Sequence, residues 1–164
     1  MHPIWPFHEG CVVVPPLRVC ECEQMPLTVD GFSHVRLTVT DIARSREFYE
    51  SVFGWDVAYE VPDGADDATR EQLGFLFGGV IYHVGGGLFG LRPVAPSSDA
   101  FSEDRVGLDH VSFSVASLDA LTSAAATLDE LGIAHEEIKD LGQMAILEFR
   151  DPDGVALELT ALTA

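Results

Sequence analysis

The chain has 164 residues, enough for one domain with a sizeable core and too few for two comfortable independent ones. Its 27 Asp and Glu against 9 Lys and Arg give a formal charge of -18, which repels nucleic-acid phosphates and anionic lipid and argues against both as partners. No apolar run reaches the roughly 18 residues of a spanning helix, and Met1 to Glu9 lack a secretory signal, so a soluble, cytoplasmic protein is expected.

Residues 1–28 read as an irregular N-terminal extension. All three cysteines, Cys11, Cys20 and Cys22, fall there beside Pro3, Pro6, Pro15 and Pro16. Cys20-Glu21-Cys22 has the look of a thiolate metal or redox pair, but no second cysteine pair follows at zinc-site spacing. A start at Met25 instead of Met1 accounts for the stretch equally well. One domain is expected over 29–162, with a first module at 29–94, a linker at 95–106 and a second module at 107–162.

The division into modules rests on an internal repeat: Gly31-Phe32-Ser33-His34-Val35 recurs as Gly107-Leu108-Asp109-His110-Val111. After His34, Val35, Leu37 and Val39 alternate with polar residues, which predicts a half-buried strand. Asp41 is placed to cap a helix carrying Ile42, Tyr49, Val52 and Phe53, and Gly54 is its natural left-handed stop. Strands are predicted over 55–61, about 75–84 and 88–94, with 62–72 as a loop. The second half repeats the order. Val111, Phe113 and Val115 alternate, Ser117 caps, and Leu118, Leu121, Ala125, Leu128 and Leu131 form a helical stripe ended by Gly132. Strands follow over 133–138, 144–149 and 155–161, the last two joined by the strong turn Asp151-Pro152-Asp153-Gly154. The fold class is therefore α+β, two sequential βαβββ modules.

Alternation also sorts the polar residues. Packing the valines and leucines against a helix places His34, Arg36 and Thr38 on the other face of their strand, with His110, Ser112 and Ser114, and Ala156, Glu158 and Thr160, on the equivalent faces of theirs. Two imidazoles and a carboxylate converging on a cavity would hold a divalent ion and leave positions open for chemistry. The alternative is two strand-start histidines at a sheet rim and an ordinary solvated glutamate. Arg36 and Arg92 share the cavity phase and offer forked donors to a carboxylate, phosphate or enolate, or pair structurally with the chain's many acids. Nucleophile and dinucleotide signatures are missing, and Gly85-Gly86-Gly87 reads as a turn.

The opening from Gly31 to Trp55, with His34, Asp41, Phe48-Tyr49 and Gly54-Trp55, resembles the start of a vicinal oxygen chelate module. The close, Phe149-Arg150-Asp151-Pro152-Asp153-Gly154 followed by Leu157-Glu158-Leu159, resembles that superfamily's terminal hairpin. The likeness to this glyoxalase, bleomycin-resistance and extradiol-dioxygenase group covers about 29–162. It implies that the two modules form a cup-shaped mixed sheet, with a divalent metal (Fe, Mn, Ni or Zn) on His34, His110 and Glu158, and a small molecule with adjacent oxygens as substrate. Arg36, Thr38, Arg92, Ser112, Ser114 and Thr160 are the candidate substrate contacts, and the catalytic residues are left unassigned. A four-ligand glyoxalase site would need Glu or Gln where this chain has Gly90. The remaining set resembles the extradiol dioxygenase arrangement, with Tyr82 and His83 as nearby candidates for its further residues. A metal-dependent lyase, isomerase or dioxygenase is the leading expectation. A metal-free small-molecule or antibiotic-binding protein of the bleomycin-resistance type is the alternative, and a homodimer is left open.

Overall fold

The computed structural model describes residues 27–163, and its folded unit begins at Phe32. The extension up to Pro26, with its three cysteines and Met25, lies outside the described residues. The first module runs β1 (His34–Thr38), α1 (Ile42–Phe53), β2 (Val57–Tyr59), α2 (Asp67–Gln72), a 3-10 turn (Gly74–Leu76), β3 (Val80–Val84) and β4 (Gly87–Arg92). The second runs β5 (Val111–Ser114), α3 (Leu118–Glu130), β6 (Lys139–Asp140), β7 (Met144–Arg150) and β8 (Ala156–Leu162). Each makes a four-stranded mixed sheet, ordered β1-β4-β3-β2 and β5-β8-β7-β6, whose first strand is parallel to its neighbour and whose other pairs are antiparallel. Among the described residues no helix is long and apolar enough to cross a membrane.

Local chemistry sets the helix ends. The Asp41 carboxylate accepts from the backbone N–H groups of Ala43 and Arg44, which have no partner inside α1. Gly54 closes the helix at φ 60°, where a side chain would be strained. Ser117 caps α3 by accepting from Ala120 N–H. Of the predicted stripe in α3, Leu121 and Leu128 are buried, while Leu118 and Leu131 at its ends remain exposed.

The two helix-packed faces merge into one core. Val39, Tyr49, Leu91, Leu147, Leu157 and Ala161 are all almost fully buried within it. Phe53 and Trp55, at the end of α1, lie 5.2 Å from the Phe113 ring of the second module, so aromatic packing joins the halves. Polar contacts reinforce the seam: Tyr49 OH donates to Asp151 (3.0 Å), and Asp153 accepts from the Thr40 backbone and hydroxyl and pairs with Arg44.

Three stretches differ from the sequence expectation. The loop predicted over 62–72 contains α2, capped by Asp66 accepting from Thr69 N–H; none of its residues is buried, so it has no apolar stripe to betray it. The strand predicted from about Phe75 begins only at Val80, because Leu73 to Gly79 form the 3-10 turn and a tight return. Gly79 makes that return possible, since a Cβ there would lie 1.9 Å from the Leu91 carbonyl oxygen. The strand predicted over 133–138 is reduced to an isolated bridge between His135 and Phe149, followed by the two-residue β6.

Asp151 supplies a test of the seam. Its Oδ1 accepts from the Asp153 and Val155 backbone N–H groups and its other oxygen from Tyr49. Burial nevertheless pushes its carboxyl above the ordinary aspartate range, with the charge of Asp153 adding to the effect. The folded state therefore holds that proton more tightly than the unfolded chain. Its contribution is largest below the unfolded pKa of about 3.9 and declines as pH rises through the higher folded value. Asp151→Asn keeps the two backbone bonds, so denaturation across pH 3 to 8 is expected to show wild type losing stability relative to Asp151→Asn as pH rises. Asp151→Ala is expected to cost about 2–4 kcal/mol at neutral pH, because two buried N–H groups and Tyr49 lose their acceptor.

Candidate functional site

Strand register places the candidate residues in rows across the face of each sheet opposite the core. On the first sheet, His34 pairs with Leu88, which pairs with His83; Arg36 pairs with Gly90, which pairs with Ile81; Thr38 pairs with Arg92. On the second, Ser112 pairs with Glu158, which pairs with Glu148, and Ser114 pairs with Thr160, which pairs with Ile146. Gly90 and Glu158 therefore hold equivalent positions, facing Arg36 and Ser112 two residues beyond His34 and His110. Tyr82 belongs to the opposite face. It is buried, and its hydroxyl donates to Glu50 on α1, so it is a core residue and not a site candidate. His83 shares the face of His34 and is exposed.

The second sheet carries an open cavity of about 560 Å³. His110 and Glu158 both line it, together with Asp109, Glu148, Lys139 and Arg150. The orientation of the two candidate ligands is fixed by their neighbours. His110 Nδ1 bonds the Asp109 carboxylate (2.5 Å), an acceptor, so in the neutral ring the proton sits on Nδ1 and Nε2 keeps its lone pair. That bond raises the His110 pKa above its ordinary value despite some desolvation, with the charges of Glu158 and Glu148 adding to the rise. Glu158 accepts from the Ser112 and Thr160 hydroxyls through Oε1 alone (2.7 and 2.8 Å), so among the described residues Oε2 has no partner. Lys139 pairs with Glu148 (2.5 Å), and Arg150 pairs with Glu103 of the linker (2.5 Å), which closes one edge of the cavity.

His34 does not join them. Among the described residues no three His, Cys, Asp or Glu side chains lie close enough to share a metal ion. His34 is exposed on its own sheet, with Ser33 Oγ 3.4 Å from its Nδ1. A single chain thus brings together two of the three expected ligands.

Around Arg36 the first sheet's polar face is covered by its own chain. Arg36 donates to the Phe75 and Leu76 carbonyls (2.9 and 2.7 Å), tying down the 3-10 turn, and Leu76 is buried. Gly90 leaves room for this: a Cβ there would sit 3.1 Å from Arg36 Cγ and 3.3 Å from Ile81 Cγ1. Burial and the charge of Arg92 lower the Arg36 pKa. Arg92 lies with its guanidinium carbon 4.2 Å from the centre of the Phe77 ring. Thr38 and Ser114 are exposed.

Sequence reasoning overlooked Glu148, Arg150, Asp109, Lys139 and Glu103. The first two were open to the alternation argument applied to β8, since Ile146, Glu148 and Arg150 share a phase on β7. Asp109 adjoins His110. Glu103 and Lys139 had no periodic signal, because the linker and the two-residue β6 have none.

Two βαβββ modules, each with a polar face turned away from a shared core, define a paired-module small-molecule fold. A family described as Glyoxalase/Bleomycin resistance protein/Dioxygenase superfamily matches residues 31–159. The uncharacterized protein YaeR of Escherichia coli (strain K12) is 32% identical over 128 residues, 77% of this chain and 92% of that one. The crystal structure of a glyoxylase/bleomycin resistance protein/dioxygenase domain from Frankia sp. EAN1pec is 30% identical, covers 82% of this chain and 93% of that one, and superposes with a TM-score of 0.63. Lactoylglutathione lyase from Agrobacterium tumefaciens, 19% identical over 81% of this chain and 94% of that one, shares the fold with a TM-score of 0.60. The chain belongs to the Glyoxalase/Bleomycin resistance protein/Dioxygenase superfamily. Proteins of this superfamily bind small molecules, and many use a divalent metal.

The double carbonyl clamp of Arg36 predicts a local effect. Arg36→Ala is expected to lower stability by about 1–3 kcal/mol through loss of two charge-assisted hydrogen bonds. Amide hydrogen exchange should then quicken between Leu76 and Gly79, whose backbone bonds depend on the turn, while the second module keeps its protection.

Proposed function

We propose that the protein is a divalent-metal-dependent enzyme acting on a small molecule with adjacent oxygens, and that His110 and Glu158 of one chain hold the ion with His34 of a second copy. One observation supports this reading: His110 and Glu158 line the same cavity, and among the described residues no hydrogen bond engages His110 Nε2 or Glu158 Oε2, while their other atoms are held by Asp109, Ser112 and Thr160. An imidazole nitrogen and a carboxylate oxygen oriented in this way suit Fe, Mn, Ni or Zn, and a second imidazole would complete a three-ligand set with open positions. The homodimer follows from the separation of His34, because a two-fold axis that brings one first sheet to the partner's second sheet makes two equivalent sites.

A bound divalent ion would supply Lewis acidity toward the substrate oxygens. The chain's own residues do the rest. Asp109 keeps the proton on Nδ1 of His110 so that Nε2 faces the cavity. Ser112 and Thr160 hold Glu158 in one rotamer and leave its second oxygen outward. The Arg150–Glu103 pair narrows solvent access along one edge.

A metal-free binding protein is the second reading. It is favoured by Gly90, which supplies no fourth ligand, and by the two arginines on the His34 face. Elemental analysis of protein prepared without a chelating tag separates the two, since near-stoichiometric metal is expected from the first and none from the second. Glu158→Gln and His34→Ala should each lose metal while staying folded. Mixing the two variants and refolding them together is expected to restore about a quarter of the wild-type metal content, because half the dimers are mixed and each has one intact site. No recovery with both variants dimeric would overturn the shared site, and unchanged metal in Glu158→Gln would overturn the ligand assignment.

A further inference from the structure

We infer that Arg92, lying over the Phe77 ring and backed by Arg36, is an oxyanion subsite that receives a carboxylate or phosphate on the part of the substrate remote from the chelated oxygens. The placement relative to a metal rests on the site proposed above; oxyanion binding itself does not.

The charge balance is the first observation. Acids outnumber bases three to one in this chain, with 27 against 9, and Arg44, Arg46 and Arg150 each pair with a carboxylate. Arg36 and Arg92 have no acidic partner among the described residues, although both lie on one sheet face beside the same aromatic ring, at 5.8 and 4.2 Å from its centre. Two adjacent guanidinium groups left without a counter-charge repel one another, and an incoming anion relieves that repulsion.

Geometry is the second. A guanidinium lying over an aromatic ring uses its flat side and keeps its in-plane N–H groups free, which is the edge a carboxylate or phosphate engages with two parallel hydrogen bonds. Arg36 cannot serve as the receiver, because its terminal nitrogens are committed to the Phe75 and Leu76 carbonyls. It acts as a fixed positive charge behind Arg92. Phe77 is held in the left-handed region at φ 54°, the one positive φ among the described residues other than glycine. Such a conformation costs free energy in a bulky residue, and the ring it carries lies against Arg92.

Position is the third. Arg92 pairs with Thr38, four residues along β1 from His34, or about 13 Å of strand at roughly 3.3 Å per residue. Between them Arg36 holds the 3-10 turn against the sheet through the Phe75 and Leu76 carbonyls, so a ligand would run over the outer side of the turn, against Phe75 (49% exposed) and Phe77 (53% exposed). The implied substrate has chelating oxygens at one end, a short apolar spacer and an oxyanion at the other.

Benzoate and inorganic phosphate, titrated calorimetrically into the full chain with and without EDTA, test this directly. Saturable binding of either in EDTA is expected, and the tighter of the two names the group. Arg92→Gln should weaken it by roughly tenfold or more, as loss of a charged two-pronged contact does, with metal content and melting temperature unchanged. Arg92→Lys, which keeps the charge and loses the fork, should fall between. Arg105→Gln, removing an exposed linker arginine, should bind as wild type does. Equal weakening by Arg105→Gln, undiminished binding in Arg92→Gln, or no binding to wild type in EDTA would each overturn the subsite. Because none of these outcomes depends on bound metal, they leave the test of His34, His110 and Glu158 separate.

Discussion

Register is the constraint on which everything else depends. Each strand presents one face to a core built from Tyr49, Phe89, Leu147 and Leu157, and burying each such side chain is worth about 1.5–3 kcal/mol. A slip by one residue would carry Arg36, Glu158 or Glu148 into that core and the apolar set into water. The bonds that Ser112 and Thr160 make to Glu158 contribute only about 1 kcal/mol each. The polar rows are consequently set by the apolar face behind them. The aromatic seam extends the same control across modules, because Phe53 and Trp55 pack on Phe113, which alternates with Ser112 and Ser114 along β5.

Two modules of one pattern have come to opposite electrostatic ends. The second sheet offers Glu158, Glu148 and Asp109 around an open cavity, an arrangement that favours a cation. The first offers Arg36 and Arg92, with Gly90 where its counterpart has Glu158. These changes are coupled sterically. A side chain at Gly90 would press on the stem of Arg36, and without that stem Leu76 and the 3-10 turn would lose their tether.

Where periodicity governs, the sequence could be read. Both repeats, both caps and the Asp151–Gly154 hairpin follow from two-residue alternation, capping chemistry and turn chemistry, and the structure has them. Residues 62–79 were misread because α2 buries nothing and the 3-10 turn is held by Arg36, a contact between residues about forty positions apart that no local window contains. Phe75 and Leu76 look like strand residues when the return at Gly79 is unknown. The same limit applies to the site. Alternation could place His34, His110 and Glu158 on polar faces; His110 and Glu158 line one cavity because β5 and β8 are neighbours in a single sheet, whereas His34 stands on the other sheet, and alternation says nothing about how two sheets meet. Tyr82 and His83 are adjacent and so point to opposite faces, and a strand beginning at Val80 puts Tyr82 in the core.

The opposed charges of the two faces bear on how a second copy would dock. In an isologous pair each contact occurs twice, so a first sheet meeting the partner's second sheet sets a face that carries arginines against one richer in carboxylates at both sites. The reverse pairings, first against first or second against second, bring like charges together and are disfavoured. A chain carrying -18 overall repels its own copies at long range. At contact, within a Debye length of about 8 Å at physiological ionic strength, the local arrangement outweighs the net charge.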